Sequence, residues 1–499
     1  MKFPFGLLKK IVTSDSKTQG DVFFNRLRKK EYSRLDKTGH IYLDYTGGNI
    51  HPQSLVDKHY KYLKNVFGNP HSSNPASHLS EKFVSEARNK VLNFFNAKDY
   101  YCVFTANASA ALKIVGECYP FSPESHLLLT ADNHNSVNGI RDYCRYKGGS
   151  HTYCPMRNDD LTIDADILNK FLDSHNDKQN KLFAYPAQSN VSGVQHSLAW
   201  IKKAQENGWD VLLDAAAFVP TSALNLSEVH PDFVPVSFYK IFGYPTGIGC
   251  LLVKKSKFHK LKKPWYAGGT ITISSARYNG YFLKPDHEKF EDGTVNYLDI
   301  PAITSGLNYI TAIGMKNISS RIKELCEFFL LRLLQLKHDN GLPMIKLYGP
   351  SNTTNRGGTF LINFLDANGK LFPFQFIEDR ANAEMISLRT GCFCNPGIDE
   401  TNHGISASEL QSFFTSREHG DYFDMIQYMG KLRGAVRISI GLPTTKKDIS
   451  GFISFAKTIL NINVPAEILP IKDFNTSPSF KLKKNDKEKF VFSINSSTL

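Results

Sequence analysis

The stretch Asp232-Phe-Val-Pro-Val-Ser-Phe-Tyr-Lys240-Ile-Phe-Gly-Tyr-Pro-Thr-Gly247 sets one lysine behind an apolar run and ahead of a turn rich in glycine and proline. Another apolar run, Ile248–Val253, follows that turn, and upstream Val211-Leu-Leu-Asp214 ends a third in a carboxylate. These runs are apolar at nearly every position instead of every second one, which marks strands covered on both faces. Working outward, Tyr101–Thr105, Leu127–Thr130 and Lys181–Tyr185 read the same way. Helical spacing predicts helices over Ser109–Cys118, Asp164–Asp173 and Ala199–Gly208, and Leu79, Phe83, Ala87, Val91 and Phe94/Phe95 predict one over 79–96. Strands that alternate with helices predict an α/β domain with a mostly parallel sheet.

Changes in composition divide the chain into four segments. Residues 1–40 are polar and basic and read as an N-terminal extension. Residues 41–310 form the large domain, beginning with a strand at Ile41–Tyr45 and the turn Thr46-Gly47-Gly48-Asn49. Residues 311–465 form a smaller α+β domain. It opens on a long helix over Met315–Lys337, has strands at Gly358–Leu365, Ile386–Arg389 and Ala435–Ile440, and closes on a helix near Lys447–Leu460. Residues 466–499 are a Lys- and Ser-rich tail without a core of its own. There is no internal repeat.

In open parallel sheets ligands bind beyond the carboxyl ends of the strands, where Asp214 and Lys240 both fall. A buried aspartate needs a cation or hydrogen-bond donors, and a pyridinium nitrogen supplies the first. A desolvated lysine amine beside it suits covalent attachment of a carbonyl cofactor. At these residues the chain resembles the class V branch of the fold-type-I pyridoxal-phosphate enzymes, which includes the cysteine desulfurases. In the form Ser237-Phe-Tyr-Lys240 and the turn Thr246-Gly-Ile-Gly249 it is similar to the desulfurase-like domain of molybdenum cofactor sulfurases. The resemblance covers about residues 41–460.

The resemblance implies a site residue by residue. Lys240 carries pyridoxal phosphate and Asp214 faces its ring nitrogen. Ala108 and Ser109, in Phe104-Thr-Ala-Asn-Ala-Ser109, form the phosphate-binding turn, with the Ser237 hydroxyl beside it. The ordinary alternative for Ser109 is a helix cap. His134 stacks on the ring and takes part in catalysis, and Asn190 bonds the ring hydroxyl. Thr294, in Asp292-Gly-Thr294, reaches the phosphate of a neighbouring subunit, so the implied unit is a homodimer. The loop Gly68-Asn-Pro-His71-Ser72 corresponds to the site entrance. Two departures stand out: Tyr239 precedes the lysine where desulfurases usually have His, and Ala217 stands where they usually have Gln or His.

Leu388-Arg-Thr-Gly-Cys392-Phe-Cys394-Asn-Pro396 places two thiols in a loop beside Arg389, a positive setting of the kind that favours a thiolate. The resemblance makes Cys394 the nucleophile. Arg437, together with Arg389, binds the substrate carboxylate through its guanidinium fork. An arginine in an apolar strand otherwise requires a structural acid partner. The implied reaction takes sulfur from L-cysteine as a Cys394 persulfide and releases alanine. Relatives in the same class include aminotransferases, lyases and an epimerase acting on other amino acids. With 58 residues after Gly441, the expected sulfur acceptor is a separate protein or a small molecule.

The formal charge of +13 gathers in residues 26–30, 254–263 and 481–489. Those lysines would suit a nucleic acid or an acidic partner, but no zinc-finger or RNA-recognition signature accompanies them, and a solvated face is the expectation. No apolar run approaches the roughly 20 residues of a membrane span. Eight cysteines without a C-x-x-C pair predict neither a disulfide scaffold nor a metal site. Without a signal-like start, these features point to a cytoplasmic protein with free thiols.

Overall fold

A computed structural model describes residues 17–464. Its central sheet has seven strands: β1 (Tyr100–Thr105), β2 (Ser125–Thr130), β3 (Ser150–Cys154), β4 (Asn180–Pro186), β5 (Trp209–Asp214), β6 (Phe233–Ser237) and β7 (Gly249–Lys254). Their order is β1-β7-β6-β5-β4-β2-β3, and β7 alone runs against its neighbours. Both faces are apolar, as the uniform runs require. Leu127, Leu129, Leu182, Leu212 and Leu251 pack on one side against the helix Ala108–Cys118. Leu128, Phe183, Val211, Leu213 and Val236 pack on the other. The expected α/β class is therefore the observed one. Strand β3 was not expected, because an edge strand needs less burial and Ser150-His-Thr-Tyr-Cys154 is mostly polar.

A second sheet, entirely antiparallel, has β8 (Ile345–Tyr348), β9 (Thr359–Phe364), β10 (Arg389–Gly391) and β11 (Ala435–Ser439) in the order β8-β9-β11-β10. The strand expected at Ile386–Arg389 is split. Ile386–Ser387 pairs in parallel with Ile41–Tyr42, and β10 then turns to pair with β11. Residues 41 and 42, assigned by composition to the large domain, thus hydrogen-bond to the small one. The helix Met315–Leu333 seats Phe329 against Phe360 and Phe452.

From residue 17 onward the N-terminal extension is helical and docked. The helix Lys17–Glu31 and the turn after it bury Phe24, Leu27, Tyr32 and Leu35. Arg28, counted among the surface charges, is 4% exposed and bridges Asp36 and Asp448. Its lysine-rich neighbours hide this apolar stripe from a reading of composition. The basic run 254–263 is likewise partly neutralised. Lys257 and Lys260 meet Asp210 at 2.7 and 2.6 Å, and Lys263 meets Asp292 at 2.6 Å. The run 481–489 and residues 1–16 lie outside the described residues. Among the described residues no helix is long and apolar enough to cross a membrane.

Asp210 gives this arrangement a pH dependence. Burial pushes its carboxyl up, but the Lys257 and Lys260 ammonium groups outweigh burial and hold it below the ordinary value. A carboxyl depressed on folding contributes stability above the unfolded value of about 4, and the contribution is lost as pH falls through the folded one. Chemical denaturation of the wild type should show that loss below about pH 4. Asp210→Asn should be less stable at neutral pH and show a shallower acid slope; parallel slopes would count against the linkage.

Candidate active site

A cavity of about 330 Å³ opens at the carboxyl ends of β4, β5 and β6. The helix start contributes Asn107, Ala108 and Ser109; the segment after β2 contributes His134 and Ser136; and that after β4 contributes Gln188 and Asn190. Asp214 ends β5, while Ser237, Tyr239 and Lys240 follow from β6. Seven of the residues expected from sequence (Ala108, Ser109, His134, Asn190, Asp214, Ser237 and Lys240) therefore line one wall or another of a single cavity.

One end is built for an anion. The Ala108 amide donates to the Ser237 hydroxyl at 2.9 Å, and the Ser109 and Ser136 hydroxyls lie 2.6 Å apart. Asn107, not Ser109, caps the helix, accepting from the Ala110 amide. This leaves the Ser109 side chain to face the cavity. Gly249 lets β7 pass the loop, since a Cβ there would lie 2.5 Å from the Val236 carbonyl oxygen and 2.7 Å from Asn107. Amides at a helix start with three hydroxyls suit a phosphate.

The other end is built for a heterocycle with a basic nitrogen. The Asp214 carboxylate accepts from the Ala216 amide at 3.0 Å, and among the described residues no lysine or arginine is ion-paired to it. Lys240 Nζ makes no hydrogen bond among the described residues. Burial pushes the Lys240 amine down, Asp214 counters, and Arg437 and Arg389 add to the depression. His134 Nδ1 accepts from the Ser136 amide at 3.1 Å, so Nε2 carries the ring proton. Burial lowers its pKa, with Asp214 opposing, and keeps it a neutral ring. Asn49 ties the strand Ile41–Tyr42 and its turn to this end. Its amide donates to the Tyr239 carbonyl, and its side chain to those of Lys240 and Ile241. The residues present fit pyridoxal phosphate at both ends.

The thiol loop sits against the same cavity. Asn190 Nδ2 donates to the Phe393 carbonyl at 2.9 Å, and the Asn135 amide to that of Cys394 at 2.7 Å. Asn395, fully buried, donates to the Asp132 carbonyl and to Asn190 Oδ1 at 2.6 and 3.0 Å. Phe393 and Cys394 both take positive φ, 58° and 55°, a conformation non-glycine residues adopt only when held. Six of the eight cysteines are buried; Cys392 is half-buried and Cys394 is exposed. Asn395 was not singled out by sequence, since an Asn before Pro reads as turn punctuation.

The two arginines have the acid partner that an apolar strand demands. They face each other across β10 and β11, and Asp44 lies between them. Arg389 gives Nε and Nη2 to Asp44 Oδ2 at 2.9 and 2.7 Å, while Arg437 Nη2 meets Oδ1 at 2.8 Å. Arg437 Nη1 reaches the Asn190 carbonyl at 3.0 Å, and its buried Nε has no partner among the described residues. Asp44 went unnoticed in the sequence, where it reads as a strand end. Gly47 follows from it: a Cβ there would lie 2.5 Å from the Asp44 carboxylate and 2.8 Å from Arg389 Nη2.

The Aminotransferase class-V profile matches residues 41–452. The chain belongs to that family. It is thereby a pyridoxal-phosphate-dependent enzyme. The molybdenum cofactor sulfurase of Homo sapiens is 36% identical over 461 residues, covering 87% of this chain and 51% of its own. That of Arabidopsis thaliana is also 36% identical, covering 87% and 58%. The chain thus spans a little over half the length of these curated relatives. An apo cysteine desulfurase from Thermococcus onnurineus NA1 superposes with a TM-score of 0.73 at 23% identity, over 87% of this chain and 98% of that one. The Escherichia coli desulfurase gives 0.68 at 18%, with the same coverage. These likenesses establish the fold-type-I architecture.

Thr294 is not brought to this cavity within one chain. It borders an adjacent recess and accepts from Asn69 Nδ2 at 3.4 Å. The segment 68–72 does not line the cavity either, and His71 in it approaches Glu288 at 3.7 Å. Tyr239 and Ala217, the two departures from the desulfurase pattern, both line it.

Asn395→Ala removes three hydrogen bonds at the thiol loop, including the cap in which Asn395 Oδ1 accepts from the Ile398 amide, about 1–3 kcal/mol of local stability. Peptide-resolved mass spectrometry should then show Cys394 alkylated by iodoacetamide about threefold faster or more. An unchanged rate would mean that other contacts hold the loop.

Proposed function

We propose that the protein is a homodimeric cysteine desulfurase that removes sulfur from L-cysteine through a Cys394 persulfide and releases alanine. One observation carries this reading. The only exposed cysteine among the described residues sits in a loop hydrogen-bonded to Asn135 and Asn190, on either side of the lysine cavity.

Each residue then has a task. The cofactor, when bound, supplies an electron sink for the charge left at the substrate α-carbon. Lys240, its pKa lowered by burial, is the amine placed to move the α-proton. Asp214 keeps the ring nitrogen protonated, and Ala108, Ser109 and Ser237 hold the phosphate. Arg437 holds the substrate carboxylate. The Cys394 thiolate forms a bond to the substrate sulfur as the carbon–sulfur bond breaks; the electron pair returns to carbon, which takes a proton to give alanine. Sulfur then passes from Cys394 to a separate protein or small-molecule acceptor. Free thiols suit a reducing compartment, and we place the protein in the cytosol.

The dimer rests on an exposed apolar surface. The hairpin Ile271–Ser274 and Tyr281–Leu283 and the segment before it leave Trp265, Ile273, Tyr278 and Phe282 between 49% and 77% exposed. The Gly293 amide donates to the Gly268 carbonyl at 2.8 Å, fixing this surface beside Thr294. A second copy seated here would cover the apolar side chains and bring its Thr294 to the neighbouring phosphate.

Incubated with L-cysteine and a thiol reductant, the purified yellow protein should release alanine and sulfide in equal amounts. Cys394→Ala should lose sulfide release while still changing its visible spectrum on adding L-cysteine. Full activity of that variant on another amino acid would instead select an aminotransferase, lyase or epimerase. In sedimentation, the double variant Ile273→Glu/Phe282→Glu should shift a dimer to a monomer with weakened cofactor retention. A wild-type monomer of full activity would remove the dimer from this reading.

A further inference from the structure

The side chain of Gln188 lines the cavity and is 3% exposed. Its Oε1 accepts from Gln195 Nε2 at 3.0 Å, and among the described residues its own Nε2 has no hydrogen-bond partner. The amide lies close against Gly357, where a Cβ would be 2.8 Å from Nε2. A buried N–H without an acceptor is costly, and on the wall of a cavity it is open to the ligand.

Its position selects the atom it meets. A smaller recess of about 20 Å³ shares four lining residues with the cavity: Gln188, Ala216, Ala217 and Lys240. Ala108, Ser109 and Ser237, at the phosphate end, border the cavity but not the recess. Gln188 therefore stands on the side of Lys240 away from the phosphate. In pyridoxal phosphate the aldehyde carbon lies between the carbon with the phosphate arm and the carbon with the ring hydroxyl. With the aldehyde at Lys240, the ring nitrogen at Asp214 and the phosphate at the helix start, the hydroxyl falls on the Gln188 side. Of the four shared residues two are alanines and Lys240 is the point of attachment, so Gln188 alone brings a side-chain donor to this junction. Asn190 has one N–H and its oxygen given to the thiol loop, through the Phe393 carbonyl and Asn395. We infer that Gln188 is a cofactor-binding residue: its Nε2 donates to the ring hydroxyl of pyridoxal phosphate, across the space that Ala217 leaves open.

Once Lys240 carries the cofactor, its nitrogen and the ring oxygen share a proton, and when that proton leaves the oxygen needs another donor. Gln188 supplies one and so favours the loss of the proton. The charged groups within reach of Lys240, namely Asp214, Arg437, Arg389 and Cys394, are unchanged in a Gln188 variant, as are His134 and Tyr239 on the cavity wall. The test is a pH titration of the visible absorption of the pyridoxal-phosphate-loaded full chain, without substrate. Gln188→Met has nearly the same shape without the donor. It should raise the apparent pKa of the yellow band by about one, a tenfold change in proton affinity. Adding Ala217→Gln should return the value toward that of the wild type, which a mere loss of packing would not allow. An unmoved pKa in folded Gln188→Met, or a shift that the added glutamine leaves in place, overturns the inference. If circular dichroism shows Gln188→Met unfolded, Gln188→Asn, whose amide is withdrawn by one methylene, decides. A raised pKa then supports the inference and an unchanged one overturns it. The inference rests on attachment of the cofactor at Lys240, which the wild-type band itself checks, and not on sulfur removal.

Discussion

The pairing of β5 with β6 is the constraint on which the site depends. Leu212 sits opposite Phe233 in parallel register, so both strands deliver their carboxyl ends to the same edge of the sheet. Asp214 ends one and Lys240 follows the other by three residues. Neither charge could be kept there by the sheet alone, since both strands are buried on both faces. Each is tolerated because it opens into a polar cavity and has the other within electrostatic reach. Slipping either strand by one residue would turn its side chains to the opposite face and remove one partner.

A second junction joins the four-stranded sheet to this edge. Residues 44–49 run between them: Asp44 bridges Arg389 and Arg437 on the small sheet, and Asn49 grips the backbone around Lys240. The thiol loop is tied across the same gap through Asn190 and Asn395. The two arginines, Lys240 and the thiol loop are therefore positioned by contacts between segments distant in the sequence. The distances that matter to the chemistry belong to no single element.

The uniform apolar runs were legible because a strand covered on both faces has little choice of residue. Six of the seven large-sheet strands were readable for that reason, and the seventh, β3, was not, because an edge strand can be polar. The docked helix Lys17–Glu31 was hidden by its lysines and arginines, one of which, Arg28, is itself buried by two aspartates. Positive charge in the sequence did not mean positive surface. In the run 254–263, three of the lysines are already paired.

By itself the sequence determined six strands of the large sheet, the lysine and aspartate at its edge, the glycine-bearing turns and the two thiols. Each of these depends on local composition or on a short motif. Only the tertiary structure decided that Asp44 faces two arginines more than 340 residues away, that Asn395 holds the thiol loop, and that six thiols are core while one is exposed. Ion pairs and hydrogen bonds between distant segments leave no spacing to read. Their partners are fixed by where the chain returns, and that is a property of the packed fold.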